Sequence, residues 1–307
     1  MMRRGLAALV IAFAGLVATP AAAACSLTLR SLSNVTFASG EYSVFGPAGA
    51  AQAVQFTVRH RRSDPCDYFV TFSTGVAGSY DRTMTLAGTD LHYQIYDSAS
   101  QTHVLKALPD AAGGEVIGGT FTTTGTEDQD VSYYILISPQ QVVAGGNYED
   151  QIEVRLYEGT LAAYVERDSD SIRIRAQISD EIEVCVGCTA AFDPAAQSVQ
   201  MNFGDLDEGE AQSTVARVRS NAGYEFLVHS DNRGVMAHVS YPTQVPYVLE
   251  VDGAPIDLSP NQATAAAGAG VTGVDGVGFD FKVTIGSTAA AAAGDYADNI
   301  VLTVRKN

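Results

Sequence analysis

Gly146-Asn147-Tyr148-Glu149-Asp150-Gln151-Ile152 and Gly294-Asp295-Tyr296-Ala297-Asp298-Asn299-Ile300 are two copies of one pattern within a chain of 307 residues. Each copy runs on into alternating apolar residues, Ile152, Val154 and Leu156 in the first and Ile300, Leu302 and Val304 in the second. Period-two alternation makes a strand with one face buried and the other wet. In both copies a Tyr and an Asp stand two apart just before that strand. Repetition in this position favours a packed, hydrogen-bonded tyrosine corner over a catalytic pair, so Tyr148, Asp150, Tyr296 and Asp298 are read as structural corners.

Further matches lie outward from this pair in the same order. Cys66-Asp67-Tyr68-Phe69-Val70 aligns with Ala222-Gly223-Tyr224-Glu225-Phe226, and Leu91-His92-Tyr93-Gln94-Ile95 with Val245-Pro246-Tyr247-Val248-Leu249. Three ordered matches indicate a duplicated unit. Between them run short segments rich in Val, Ile, Thr, Tyr and Phe, punctuated by Gly, Asp, Asn and Ser. Val54–Arg59, Tyr68–Ser73, Leu91–Tyr96, Val131–Ile137 and Gln151–Tyr157 belong to the first half. Thr214–Arg219, Tyr224–His229, Tyr247–Val251, Phe279–Ile285 and Asn299–Arg305 belong to the second. This is the pattern of an all-β chain with two sandwiches.

Ile172–Ile178 alternates strictly and is expected to be a strand, while polar Glu166–Ser171 is taken as the boundary. The expected division is 1–24, 25–165 and 166–307, with Leu161–Val165 as the last strand of the first domain. Ala263–Gly278, rich in Ala and Gly, is read as a mobile surface loop.

Arg3 and Arg4 precede an apolar run from Leu6 to Ala18, then Pro20 and the small residues Ala21–Ala24. The run is short of the roughly 20 residues that span a bilayer and ends as a signal peptide does. The mature chain is expected to be exported and to begin at or beside Cys25. Lipidation of Cys25 is disfavoured by Ala22, which stands where a lipoprotein signal usually has Leu. The net charge of −17 becomes more negative by two when Arg3 and Arg4 leave, which repels nucleic acid and anionic membrane surfaces.

Four cysteines in an oxidising compartment suggest two disulfides with three possible connectivities. Cys25 with Cys66, and Cys185 with Cys188, keeps each bridge inside one domain. Cys185-Val186-Gly187-Cys188 is a C-x-x-C, but no second pair completes a metal site and no βαβ pattern surrounds it. The five histidines share no ligand spacing, and there is no G-x-S-x-G elbow. Gly113-Gly114 and Gly118-Gly119 open no helix. Asp205, Asp207 and Glu208 lack calcium-loop spacing. No catalytic residue, metal or cofactor is expected.

Tyr80-Asp81-Arg82-Thr83-Met84, Leu91-x-Tyr93-x-Ile95-Tyr96 and Gly145-Gly146-Asn147-Tyr148-x-Asp150 together resemble the spore coat protein U-like domain. Met201-Asn202-Phe203-Gly204, Ser220-Asn221-Ala222-Gly223-Tyr224 and Gly294-x-Tyr296-x-Asp298 resemble it less closely. The family usually bridges an early Cys to one just before the strand that begins here at Tyr224. This chain has Ala222 and Gly223 there, and Cys188 is extra.

The resemblance implies a subunit of archaic chaperone–usher pili. Its fold would be an immunoglobulin-like sandwich lacking one strand, filled by an extended segment of a neighbour. Unfilled, such a groove is an aggregation-prone edge. The implied partners are a periplasmic pilus chaperone, an outer-membrane usher and the next pilin subunit. The implied route is through the periplasm to a pilus on the cell surface. Ile300, Leu302, Val304, Met201 and Phe203 would line the groove. A mature chain starting at Cys25 carries no donor extension, so the expectation is a two-domain tip adhesin with a self-complete first domain and an acceptor second domain. Its adhesive loops are expected at the far end of the first domain, carrying Phe45, Pro47, Val76, Val142 and Val143, and facing an abiotic or host surface. The competing reading is a self-complete secreted or outer-membrane-associated binding module for a glycan or surface ligand.

Overall fold

A computed structural model describes residues 25–61 and 63–307; the expected signal peptide lies outside the described residues. The first unit has ten strands: β1 (Leu27–Arg30), β2 (Val35–Phe37), β3 (Ala50–His60), β4 (Cys66–Phe72), β5 (Arg82–Leu86), β6 (Thr89–Tyr96), β7 (Ile117–Phe121), β8 (Glu127–Ile137), β9 (Gly146–Thr160) and β10 (Ala163–Ile178). They pair in the order β1-β3-β8-β6-β5-β9-β10-β2, with β4 between β7 and β9. The long β9 serves both layers. Its start meets β5 at Thr85↔Glu149, and its later half pairs with β4 from Phe72↔Val154 to Tyr68↔Glu158. The result is an immunoglobulin-like sandwich.

The second unit comprises β11 (Ile182–Val186), β12 (Ala211–Ser220), β13 (Tyr224–Ser230), β14 (Val235–His238), β15 (Gln244–Val251), β16 (Ala254–Ile256), β17 (Ala263–Gly268), β18 (Val277–Ile285), β19 (Tyr296–Ala297) and β20 (Ile300–Lys306). One sheet runs β11-β12-β18-β15-β14-β19 and the other β17-β13-β20. Position for position this repeats β1-β3-β8-β6-β5-β9 and β7-β4-β9. Two members of the first unit have no strand counterpart in the second, β10 and β2.

Alternation explains β9 residue by residue. Tyr148, Asp150, Ile152, Val154 and Leu156 are buried, while Glu149, Gln151, Glu153 and Arg155 turn outward. β10 lies antiparallel to it, and its Ile172, Ile174, Ala176 and Ile178 complete the first core. The expected boundary at residue 165 therefore falls inside β10, and the first core extends to Ile178. Polar Glu166–Ser171 is the solvent-facing early part of this strand, and Leu161 and Ala162 form the turn before it. Ala263–Gly278 is likewise not all loop, because β17 pairs with β13.

The corners match in both units. Tyr148 donates its hydroxyl to Ala144 O and Tyr296 to Ala292 O, each at 3.0 Å. Tyr93 donates to Asp150 Oδ2 and Tyr247 to Asp298 Oδ2, each at 2.5 Å. Burial and the adjacent carboxylate raise the pKa of both tyrosines, so each hydroxyl stays protonated and donates. Asp150 Oδ1 also accepts Val76 N and Gln151 N, and Asp298 Oδ1 accepts Asn232 N and Asn299 N. Gly146 and Gly294 enter the two corners at φ +150° and +145°, a region that side chains disfavour. A Cβ at Gly294 would run into the His238 ring.

One buried charge is not duplicated. Arg82 donates to Ser73 O, Phe72 O, Leu105 O and Gln94 Oε1, tying β4, β5, β6 and the segment after β6 together. Burial lowers its pKa to about 10, which leaves it charged at neutral pH.

Tyr93→Phe takes a donor from a buried carboxylate and should destabilise the chain by about 1.5–3 kcal/mol. Tyr247→Phe, beside the half-buried Asp298, should cost less. Urea unfolding of the two variants checks the order.

Candidate functional site

The second unit is open where β10 closes the first. β9 is paired along both edges, by β10 on one side and by β4 and β5 on the other. Among the described residues β20 pairs with β13 alone. Along its other side runs a groove with a cavity volume of about 960 Å³. Ile300, Leu302, Tyr296 and Asp298 line it together with Val199, Met201, Phe203 and Leu206. Val184, Val186, Met236, Tyr247, Leu249, Phe281 and Val283 also line it.

Burial measures what is missing. Ile152, Val154 and Leu156 are fully buried, whereas Ile300, Leu302 and Val304 are half-buried against the second core. Val301 is 41% exposed. The same contrast holds across the groove. Val35 and Phe37, on the strand β2 that lies parallel to β10, are buried. Met201 and Phe203 stand in the matching place, half-buried, in a stretch with no strand. The groove thus combines apolar side chains with polar ones such as Gln200, Asn202 and Asp295, and it has a free backbone edge and room for an extended chain. These are the requirements for β-augmentation.

The structure distributes the sequence-expected residues unevenly. Ile300, Leu302, Met201 and Phe203 come together at the groove. Val304 lies further along β20, packed on the core and outside the groove lining. The cysteines pair as Cys25–Cys66 and Cys185–Cys188. Beside the first bridge, His60 is buried, with Nδ1 2.9 Å from Gly125 O and Nε2 2.8 Å from Ser63 Oγ. Cys25, Cys66 and His60 lie close enough to share an ion, but the thiols are spent on each other.

The expected adhesive loops need correction. Phe45 and Val143 are buried and Val142 packs on the first core. Two of these loops face the second unit, not the far end. The Arg219 guanidinium sits 4.7 Å from the Phe45 ring and 4.0 Å from Phe192. Asn221 is buried, donates to Val143 O and Ser179 O, and accepts Glu181 N at 2.6 Å. Glu181 in turn accepts from Ser43 Oγ and Val44 N, and Lys306 pairs with Asp180 at 2.5 Å. Val76 is 63% exposed, yet its N–H is held by Asp150 near the start of β9, the end joined to the second unit. Pro47 is exposed on the loop after Phe45. The reason is the doubling back of β10, which returns the chain to the end where β9 began. The opposite end carries the β9–β10 turn, with Tyr164 45% and Val165 54% exposed. Tyr164 packs edge-on against Phe69 and Tyr157.

Sequence reasoning missed Val184 and Val186 as groove residues, although the alternation Ile182-Glu183-Val184-Cys185-Val186 signals a half-buried strand. It also missed the junction role of Asn221. Its burial depends on contacts with Val143 and Ser179, which no local pattern reveals.

Residues 12–155 match the family model described as Spore Coat Protein U domain. No curated protein is matched by the sequence. Among solved structures, the chain is similar to the CsuC–CsuE chaperone–tip adhesion subunit pre-assembly complex from archaic chaperone-usher Csu pili of Acinetobacter baumannii. The identity is 15%, covering 92% of this chain and 99% of that one, with a TM-score of 0.45. It is also similar to the CupB6 tip adhesin from Pseudomonas aeruginosa, at 9% identity, 92% and 96% coverage and a TM-score of 0.40. The CFA/I adhesin CfaE of enterotoxigenic E. coli is matched at 12% identity, with 90% and 92% coverage and a TM-score of 0.35. The family match takes in β1 to β8 and most of β9, including the Tyr148–Asp150 corner. Over this stretch the chain is similar to a Spore Coat Protein U domain.

Proposed function

We propose that the chain is an adhesive subunit of a chaperone–usher pilus, and that its second sandwich is completed by a strand from the next subunit. The observation that carries this reading is the free edge of β20 above a partly apolar groove, at the place where β10 fills the first sandwich. A duplicated fold that needs β10 in one copy needs an equivalent in the other. The pairing of β10 supplies the direction: the incoming strand runs antiparallel to β20 and parallel to the Val199–Phe203 segment. Completing the burial of Ile300, Leu302, Met201 and Phe203 is worth roughly 3–6 kcal/mol, taking about half of the 1.5–3 kcal/mol for full burial of each. That is a large share of a domain's stability, so the empty groove needs a temporary cover. A periplasmic chaperone supplies one during transit, and an outer-membrane usher would then exchange it for the next subunit at the cell surface.

The two units take the division 25–178 and 182–307 with a short connection between. The first is closed by its own β10 and is left free for attachment. Leu27–Arg30 is committed to β3, and Cys25 is bonded to Cys66, so this segment is not available to complete another subunit. The chemistry is that of binding and assembly; no residue is assigned a catalytic role.

Production of the full chain in a periplasm, with and without a co-produced pilus chaperone, tests the reading. The expected outcome is a one-to-one complex with the chaperone and, without it, low soluble yield with strong binding of a hydrophobic dye. A soluble monomer that binds neither dye nor chaperone would instead favour the self-complete binding module. Alanine substitutions give a second check. Ile152→Ala should cost about 2–5 kcal/mol, while Leu302→Ala in the unfilled chain should cost roughly half as much because the side chain is only half-buried.

A further inference from the structure

The chain contains a worked example of the strand its groove lacks, and that example specifies the missing occupant by residue type. The inference rests on the acceptor reading above and adds what the acceptor selects. In the first sandwich Ile172 lies opposite Ile152, Ile174 opposite Asp150, Ala176 opposite Tyr148 and Ile178 opposite Gly146. All four β10 side chains are buried in the first core. The duplicated corner carries this register to Ile300, Asp298, Tyr296 and Gly294.

Only one of the four positions takes a small residue, the one facing the tyrosine. Tyr148 is fixed by its bond to Ala144 O, so its ring cannot withdraw to admit a larger neighbour. Tyr296 is fixed in the same way to Ala292 O, and its ring is also set edge-on against His238 at 4.9 Å. The space opposite it is therefore equally restricted. Overpacking such a site forces side chains off their rotamers.

The outward face differs between the two copies. Glu149 pairs with Arg173 and Arg175 of β10, each at 2.7 Å. The residue in its place is Ala297, and Val301 replaces Glu153. Opposite the positions of Arg173 and Arg175 the acceptor thus offers Asn299 and Ala297, with Val301 beyond them, in place of the Glu149 carboxylate; Asp295 stands one pleat away, where the first copy has Asn147. Facing pairs of β-branched residues are the favourable alternative.

From this we infer that the groove selects a strand with large aliphatic residues facing Ile300, Asp298 and Gly294, a small residue facing Tyr296, and neutral, preferably β-branched residues facing Ala297 and Asn299 on its outer face. The occupant resembles β10 inwardly and departs from it outwardly.

The test extends the full chain. In the alignment of the corners Asn307 holds the place of Gly159 (307 − 159 equals 296 − 148). A second copy of residues 160–178 joined after Asn307 therefore enters the groove through the same turn that β9 and β10 use. Four chains are compared for thermal midpoint and hydrophobic-dye binding: the unextended chain, the chain with the plain copy, one whose copy has Thr at both arginine positions equivalent to 173 and 175, and one whose copy has Ile at the alanine position equivalent to 176. The Thr copy should give the highest midpoint and the lowest dye binding, with the plain copy next. The Ile copy should lose about 5 °C or more relative to the plain copy. Equal stabilisation by the plain and Ile copies, or a higher midpoint for arginine than for threonine, would overturn the selectivity while leaving the acceptor intact. No stabilisation by any copy would overturn the acceptor reading itself.

Discussion

Every backbone amide and carbonyl along a buried strand needs a partner, and one long strand in each half of this molecule sets that demand. β9 meets it on both edges. β20, which repeats β9 through its Gly-x-Tyr-x-Asp corner, meets it on one. The difference propagates into side-chain burial on both sides of the gap, from Ile152 against Ile300 to Phe37 against Phe203. A single absent strand accounts for the open edge, the half-buried apolar residues and the groove. No separate explanation is needed for each.

The same duplication explains how the halves are joined. Because β10 doubles back along β9, it delivers the chain at the end of the first sandwich where Val143 and Phe45 lie. Ser179, Asp180 and Glu181 are then pinned by Asn221, Lys306 and the Ser43–Val44 backbone. Residues that look like apolar loop tips in sequence become junction residues. Lys306 belongs to β20 and Glu183, which holds Arg219, belongs to β11. Both strands flanking the groove therefore also touch the junction, and the acceptor and the inter-unit contact are built from the same elements.

Much of this was legible in the residues. The ten strands read from β-branched and aromatic runs each coincide with an observed strand, with only Ser73 and Asn299 falling one residue outside, because their alternation is set by local pleat and burial. The corner was legible because Tyr-x-Asp occurs twice at one structural place. What escaped was non-local. The stretch Glu166–Ser171 reads as a polar linker because it lies at the wet start of β10, and only its pairing with β9 shows that the domain continues. Ala263–Gly268 lacks apolar bulk, yet backbone pairing with β13 makes it a strand. Phe45 and Val143 are covered by a second unit that no window of sequence contains. Arg82 stands in a motif, but its role as a buried charge shared among three carbonyls and Gln94 depends on chain segments up to 23 residues away.

Amide hydrogen exchange along β9 and β20 in the unoccupied full chain tests the central claim most directly. Protection of buried, doubly paired strands approaches the global stability, whereas unpaired edges open with little cost. The account predicts slow exchange throughout the core of β9, and fast exchange at those β20 amides that point away from β13, slowing once a complementary strand is bound. Protection along both edges of β20 equal to that of β9, in a chain with no added strand, would contradict it.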